Sequence, residues 1–126
     1  MGDKPAFALA GLRILVVEDE YMVAELLCTI LEGFGCHVIG PCATVAEAVA
    51  AVRANKLDCA VLDVNLDGNS SGPVAAALNA AAVPFVVATG YGDLSLMDAM
   101  FDQAPRIHKP FDIAQLTASL QAAFVK

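Results

Sequence analysis

Two hydrophobic periods alternate along the chain. Leu12 to Val17 is an almost continuous apolar run, β-branched toward its end and stopped by Glu18, the pattern of a strand covered on both faces. Glu20 to Gly33 then places Val23, Leu26, Leu27, Ile30 and Leu31 on one helical stripe, with Gly33 as a C-terminal stop. His37 to Gly40 predicts a second strand that ends at Pro41. Thr44 is a natural N-cap for a helix over Val45 to Asn55, and Glu47 three residues on completes a capping box. Cys59 to Leu62 predicts a third strand running into Asp63. Asp67 to Ser71 carries turn chemistry, and Pro73 suits the first turn of a helix to about Ala81. Phe85 to Ala88 is a fourth strand and Leu94 to Phe101 a further helix. Ile107 lies in a short fifth strand ending near Lys109, and Asp112 caps a last helix through about Phe124.

Strand and helix thus alternate five times. Parallel strands joined by right-handed helical crossovers place helices on both faces of a sheet, which suits strands without polar alternation. The expectation is one doubly wound α/β domain over residues 12–126, with a five-stranded parallel sheet and a short N-terminal tail at 1–11.

Composition narrows the function. Of 126 residues, 58% are hydrophobic and 17% charged, so a packed core is expected rather than disorder. Fourteen acids oppose seven bases, a formal charge of −7, and no Lys/Arg cluster is present to displace counterions from phosphates. Nucleic acid and anionic membrane surfaces are therefore not expected partners. No apolar run reaches the roughly 20 residues of a membrane span, and residues 1–11 lack the pattern of a signal peptide. Cys28, Cys36, Cys42 and Cys59 form no Cys-x-x-Cys pair and read as apolar fillers in a reduced cytoplasm.

The chemistry collects where strands end. In open α/β sheets, ligands sit beyond the carboxyl ends of the strands. Glu18 and Asp19 follow strand one, Asp63 ends strand three, Thr89 follows strand four and Lys109 strand five. Clustered carboxylates repel by roughly 4 kcal/mol per close pair at an effective dielectric of 20, so such a pocket needs a cation or raised pKa values. Oxygen-only donors favour a hard ion, and Mg²⁺ is the natural choice. A carboxylate beside Mg²⁺ can attack phosphorus to give an aspartyl phosphate, with Lys109 supplying positive charge and Thr89 a hydroxyl.

On Leu15-Val16-Val17-Glu18-Asp19-Glu20, Leu62-Asp63-Val64-Asn65-Leu66, Ala88-Thr89-Gly90 and His108-Lys109-Pro110-Phe111, the chain resembles the receiver domain of bacterial two-component response regulators. The resemblance covers about residues 12 to 124 and implies the flavodoxin-like strand order 2-1-3-4-5. It implies Asp63 as phospho-acceptor, with Glu18, Asp19, Asp63 and the Asn65 backbone carbonyl holding Mg²⁺, and Thr89 and Lys109 on the phosphoryl group. It also makes Lys109-Pro110 a candidate cis peptide. The donor it implies is a histidine kinase or a histidine phosphotransfer protein. Pro84 to Gly92 further resembles a largely single-domain subgroup with a Phe-Ala-Thr-Gly-Tyr signature, with Val87 in place of its first Phe.

Three departures from the family pattern stand out. Glu18 replaces the more frequent Asp, and Asp67 stands where many receivers have Pro. Arg106 occupies the position, three before the lysine, of an aromatic that swings inward on phosphorylation. Tyr91, between Gly90 and Gly92, is the expected substitute switch residue beside Thr89. His108 is expected to face away from Lys109. Asp93, Asp98 and Asp102 are expected to form a solvated face, and Met97, Met100 and Phe101 part of the core.

The expected function is a stand-alone, cytoplasmic phosphoryl acceptor, monomeric or weakly dimeric, that switches protein contacts or drains phosphate. Donor docking is expected near Tyr21, Met22, Glu25, Pro110 and Phe111. The face of the fourth helix, fifth strand and last helix is the expected output surface. An aspartyl-nucleophile phosphatase needs a general acid two residues after the nucleophile, where Asn65 cannot donate a proton in that role, so enzymatic turnover is not expected. A phosphorylation-independent interaction module is the alternative.

Overall fold

The computed structural model describes residues 9–90, 92–97, 99–102 and 104–124. The elements in chain order are β1 (Arg13–Val17), α1 (Tyr21–Gly33), β2 (His37–Cys42), α2 (Val45–Ala54), β3 (Cys59–Asp63), a two-stranded hairpin of β4 (Asn65–Leu66) and β5 (Asn69–Ser70), α3 (Gly72–Ala80), β6 (Phe85–Thr89), β7 (Arg106–His108) and α4 (Ile113–Phe124). The main sheet is parallel with order β2-β1-β3-β6-β7. Without the hairpin, this is the expected 2-1-3-4-5 arrangement of a flavodoxin-like receiver fold.

Alternate residues of the central strands enter two separate cores. Ile14, Val16, Val61, Val86 and Ala88 pack with Leu27 and Leu31 of α1 and Leu116 and Leu120 of α4. Leu15, Val17, Ala60, Leu62 and Val87 pack on the other face with Val52 of α2 and Val74 and Leu78 of α3. β3 and β6 are buried at every position, which is why their sequences read as unbroken apolar runs. Leu9, within the segment expected to be a tail, is fully buried in the α1/α4 core, and its carbonyl accepts the Cys36 thiol at 3.3 Å. Burial pushes all four thiols above their ordinary range, Cys59 to about 12, as suits apolar fillers.

Caps follow the sequence closely. Thr44 Oγ1 accepts the Glu47 N–H at 3.1 Å, and the Glu47 carboxylate accepts the Ala43 N–H at 3.0 Å, one residue earlier than the simplest capping box. Asp112 and Gln115 cap α4 reciprocally, at 2.8 and 2.9 Å.

Three elements differ from expectation. β2 continues through Pro41 to Cys42, because it is an edge strand in which a missing N–H is tolerated. The Gly40-Pro41 bond is cis, as is Lys109-Pro110, and the β1/β2 register shifts between Leu15 and Val17. Gly40 is required there: a Cβ would lie 2.9 Å from the Val16 carbonyl oxygen, at φ +99°. Second, the turn region holds a hairpin closed by Asp67 (φ 54°) and Gly68 (φ 86°), the paired positive φ of a type I′ turn.

Third, the expected Leu94–Phe101 helix is instead two 3₁₀ turns, Asp93–Leu96 and Ala99–Phe101. Carbonyls that would serve an α-helix are claimed from outside: Leu96 O accepts Ser70 Oγ at 3.2 Å and Met100 O accepts Asn79 Nδ2 at 3.4 Å. Phe101 pins the crossover, fully buried among α2 and α3 residues, whereas Met97 is half-buried and Met100 is 44% exposed. Phe101→Ala is expected to lower the unfolding free energy by about 3–5 kcal/mol, measured by urea denaturation. A loss under about 1 kcal/mol would mean that the crossover is not part of the cooperative core.

Candidate functional site

The carboxyl ends of β1, β3, β6 and β7 surround a cavity of about 390 Å³ lined by Asp19, Glu20, Asp63, Asn65, Asp67, Gly68, Gly90, Asp93 and Lys109. Backbone pairing sets its walls. The Glu18 N–H donates to Cys42 O at 2.9 Å, so the prolonged β2 fixes the start of the acidic segment. The Lys109 N–H donates to Thr89 O at 2.8 Å, carrying β6–β7 pairing one residue further and turning the lysine inward. Ser71 Oγ donates to the Asp63 carbonyl at 2.6 Å and anchors β3 to the start of α3.

Glu18 and Asp63 are each 3% exposed, and Lys109 is the cation between them. Its Nζ lies 2.6 Å from Asp63 Oδ2 and 3.0 Å from Glu18 Oε1, with Glu20 Oε1 at 3.8 Å. The other Asp63 oxygen accepts the Asn65 N–H at 3.0 Å. Asp19 reaches across to the hairpin, where its Oδ2 accepts the Asp67 N–H at 3.0 Å. Burial and the Asp63 charge push the Glu18 carboxyl up to about 7, against the lowering effects of Lys109 and the Glu20 N–H. Lys109 is raised in turn: burial opposes its charge, but the hydrogen bonds and charges of Asp63 and then Glu18 outweigh it.

One lysine does not balance these acids. Glu18, Asp19 and Asp63 each bring an oxygen within 4.8 Å of the others, an all-carboxylate set that fits a hard cation such as Mg²⁺. The raised Glu18 carboxyl has the same cause as that fit, namely too much negative charge in one buried place.

The remaining expected site residues divide. Asn65 lines the cavity, its amide Nδ2 on Asp93 Oδ1 at 3.2 Å and its Oδ1 accepting the Gly68 N–H at 2.6 Å. Thr89 ends β6 as expected, but its hydroxyl is turned out of the cavity. Its Oγ1 lies 3.0 Å from His108 Nδ1 and 3.5 Å from the Ile107 carbonyl. Tyr91 lies outside the described residues. Arg106 is exposed and sits 3.9 Å from Asp102, so no aromatic fills its position.

Sequence alone gives His108 and Asp93 no place in the site. His108 does face away from Lys109, yet β6 and β7 pair Thr89 with His108, so the two side chains meet. Asp93 is 6% exposed rather than on a solvated face. Its signal was an acid three residues after Gly90, the spacing at which a side chain reaches back to a backbone N–H as in a capping box.

Fold and cleft together define a flavodoxin-like α/β protein whose acidic, oxygen-lined pocket lies beyond its strand ends. The chain belongs to the response regulator receiver domain family, whose model matches residues 14–121. Transcriptional regulatory protein TcrA of Mycobacterium tuberculosis is 36% identical over 118 residues, covering 90% of this chain and 46% of TcrA. Phyllosphere-induced regulator PhyR of Methylorubrum extorquens is 34% identical over 114 residues, covering 88% of this chain and 43% of PhyR. The chain thus spans less than half the length of these relatives. The solution structure of SdrG from Sphingomonas melonis superposes with a TM-score of 0.79 at 41% identity, covering 91% of this chain and 97% of SdrG. The receiver domain of sensor histidine kinase PA1611 of Pseudomonas aeruginosa, with a magnesium ion coordinated in its active site cleft, shares the fold at TM-score 0.76 and 23% identity, covering 93% and 100% of the two chains.

A pH dependence follows from Glu18. Its folded pKa lies above the unfolded value of 4.5, so the stability it contributes is complete below pH 4.5 and is lost as pH rises through about 7. With divalent cations chelated, the unfolding temperature is expected to fall across that window, and Glu18→Gln to flatten the fall. Thermal unfolding of both proteins at a series of pH values checks this; superimposable profiles would exclude Glu18 as the titrating group.

Proposed function

We propose that the chain accepts a phosphoryl group on Asp63 from a histidine kinase or histidine phosphotransfer protein, in a Mg²⁺-dependent reaction. The observation that carries this reading is the buried Asp63 carboxylate, held between Lys109 Nζ and the Asn65 N–H on the wall of an open cleft. Both oxygens are oriented, which is the requirement for an in-line attack that depends on positioning and charge. A carboxylate oxygen forms the new bond to phosphorus as the bond from phosphorus to the donor imidazole nitrogen breaks; that nitrogen leaves with the electron pair and takes a proton.

Glu18, Asp19, Asp63 and the Asn65 backbone carbonyl would hold Mg²⁺, which supplies charge neutralisation at the phosphoryl oxygens. Lys109 neutralises further charge. After transfer, the Thr89 hydroxyl leaves His108 and turns into the cavity to donate to a phosphoryl oxygen, and the loop bearing Tyr91 rearranges with it.

Docking and output follow from exposed chemistry. Tyr21 (75% exposed), Met22 (80%) and Leu26 (59%) form an apolar stripe on α1. Beside it, Val23, Leu26, Leu27, Pro110 and Phe111 line a groove of about 330 Å³ that also reaches Lys109. A donor helix seated there would bring its histidine to the mouth of the cleft. The output is a changed protein contact or phosphate drainage by a cytoplasmic monomer or weak dimer. The formal charge of −7 disfavours nucleic acid as the direct target of these residues. No helix among the described residues is long and apolar enough to cross a membrane.

Acetyl phosphate with Mg²⁺ should add one phosphoryl mass to the wild type and none to Asp63→Asn, as read by intact-mass spectrometry. An equal gain in both, or none in either, removes Asp63 as the acceptor. Tyr91→Ala should leave this mass gain intact but abolish the phosphorylation-dependent change in binding to the donor phosphotransfer protein, measured by calorimetry.

A further inference from the structure

The cleft holds a third buried acid, which the reaction above does not use. Asp93 begins the first 3₁₀ turn, yet both of its carboxylate oxygens point back into the fold. The Gly90 N–H donates to Oδ2 at 2.7 Å, and Asn65 Nδ2 donates to Oδ1 at 3.2 Å. Lys109, the cation lining the cavity among the described residues, is instead against Asp63, Glu18 and Glu20. Neutral donors alone therefore offset a carboxylate that is 6% exposed, in a cavity also lined by Asp19, Glu20, Asp63 and Asp67. Such a group is held at an electrostatic cost and is easier to displace than an ion-paired one.

Its donors are the ones an arriving anion needs. The Asn65 N–H is already on Asp63, the Asp67 N–H on Asp19, and the Gly68 N–H on Asn65 Oδ1, closing the hairpin turn. The Gly90 N–H is held by a side chain from a short 3₁₀ segment. Asn65 spans both acids, its main chain on Asp63 and its amide on Asp93. A phosphoryl group on Asp63 brings a charge of about −1.5 to −2 and three acceptor oxygens into this space. One N–H makes its full bond to only one of two anions.

Resting on Asp63 as the acceptor, we propose that Asp93 is a built-in competitor of the phosphoryl group. Its carboxylate occupies the Gly90 N–H and the Asn65 amide in the unphosphorylated chain, and phosphorylation displaces it. Asp93 is thus a positioning residue that opposes phosphorylation and converts it into movement. Once released, the turn Asp93–Leu96 loses its side-chain bond to the Gly90 N–H, which leaves the Asp93 N–H on the Gly90 carbonyl at 3.3 Å and the Ser70–Leu96 bond at its far end. The segment shifts between these two remaining bonds, carrying the charge change to the surface between β6 and β7.

Beryllofluoride, a tetrahedral phosphoryl mimic, tests this with the full chain, labelled with ¹⁵N and saturated with Mg²⁺. Affinities of wild type, Asp93→Asn and Asp93→Ala are read from amide spectra. Asp93→Ala should bind about tenfold more tightly than wild type, the response to losing one charged competitor for a hydrogen-bond donor. Asp93→Asn, which keeps the shape without the charge, should fall between them. Before any addition, the Gly90 amide proton should move upfield in both variants; with wild type, beryllofluoride should shift residues 93–96. Equal or weaker binding by the variants overturns the inference while leaving Asp63 as the acceptor. Wild type that binds no beryllofluoride overturns both. If Asp93→Ala does not fold, Asp93→Asn decides alone, since it preserves the packing.

Discussion

Two buried carboxylates, Glu18 and Asp63, face one ammonium, and the rest of the site is arranged around that imbalance. Removing two charges from water and returning one opposite charge leaves a net negative centre in a low-dielectric wall. A proton on Glu18 relieves it, since burial and then the Asp63 charge push that carboxyl up to about 7, and a hard cation relieves it in another way. Binding a cation and carrying a proton are thus alternative solutions of one electrostatic problem. Lys109 cannot complete either alone, because its single charge is divided between both acids. What remains is an unbalanced negative charge that suits a hard cation and, on the proposed function, draws in an anionic phosphoryl group with it.

The fold divides this centre into a rigid half and a pliable half. β3 and β6 are buried at every position and are clamped between helices on both faces, so Asp63 is fixed from behind. Glu18 is held through an edge strand that reaches it only by continuing past a proline. On the other side, the described residues of 92–101 form no α-helical ladder; the Leu96 and Met100 carbonyls answer to Ser70 and Asn79, and Phe101 alone of their described side chains is fully buried. Segments with few cooperative hydrogen bonds open at the least free-energy cost. Asp93 and the register partners Thr89 and His108 sit on or beside that half. Rigidity thus lies under Asp63 and pliability under Asp93.

Much of this arrangement was legible because burial leaves plain marks on a sequence. The fully covered strands read as apolar runs, the capped helices carried Thr44 and Asp112 where the caps occur, and strand ends placed Glu18, Asp19, Asp63 and Lys109 at one rim. The unread features share a physical cause. β4 and β5 are two residues each, too short for any period, and only Asp67-Gly68 marked them. Pro41 signals a strand end unless the strand is known to be an edge. Leu94 to Phe101 has helical spacing, but spacing cannot reveal that side chains from α3 and the hairpin take its carbonyls. The Thr89–His108 contact depends on strand register, and the Asp93 position on the loop path; neither is a property of a local window.

Those unread contacts bear on how a change at Asp63 can travel. Arg106 is exposed and pairs with Asp102, and the buried residue of β7 is Ile107, so no large side chain of this strand is poised to swing into the cleft. The side chain next to Thr89 is instead His108, at the strand's last position. A hydroxyl turning toward Asp63 breaks a contact with an exposed imidazole rather than filling a space left by an aromatic. Little packing energy changes in that step, so it cannot by itself drive a large rearrangement. The larger change available is the charge redistribution among Asp63, Asn65, Gly90 and Asp93, which are linked in series by hydrogen bonds of 2.7 to 3.2 Å. On the proposed function, the signal therefore runs through anions competing for backbone amides, and the 3₁₀ turn moves because its first side chain is one of those anions.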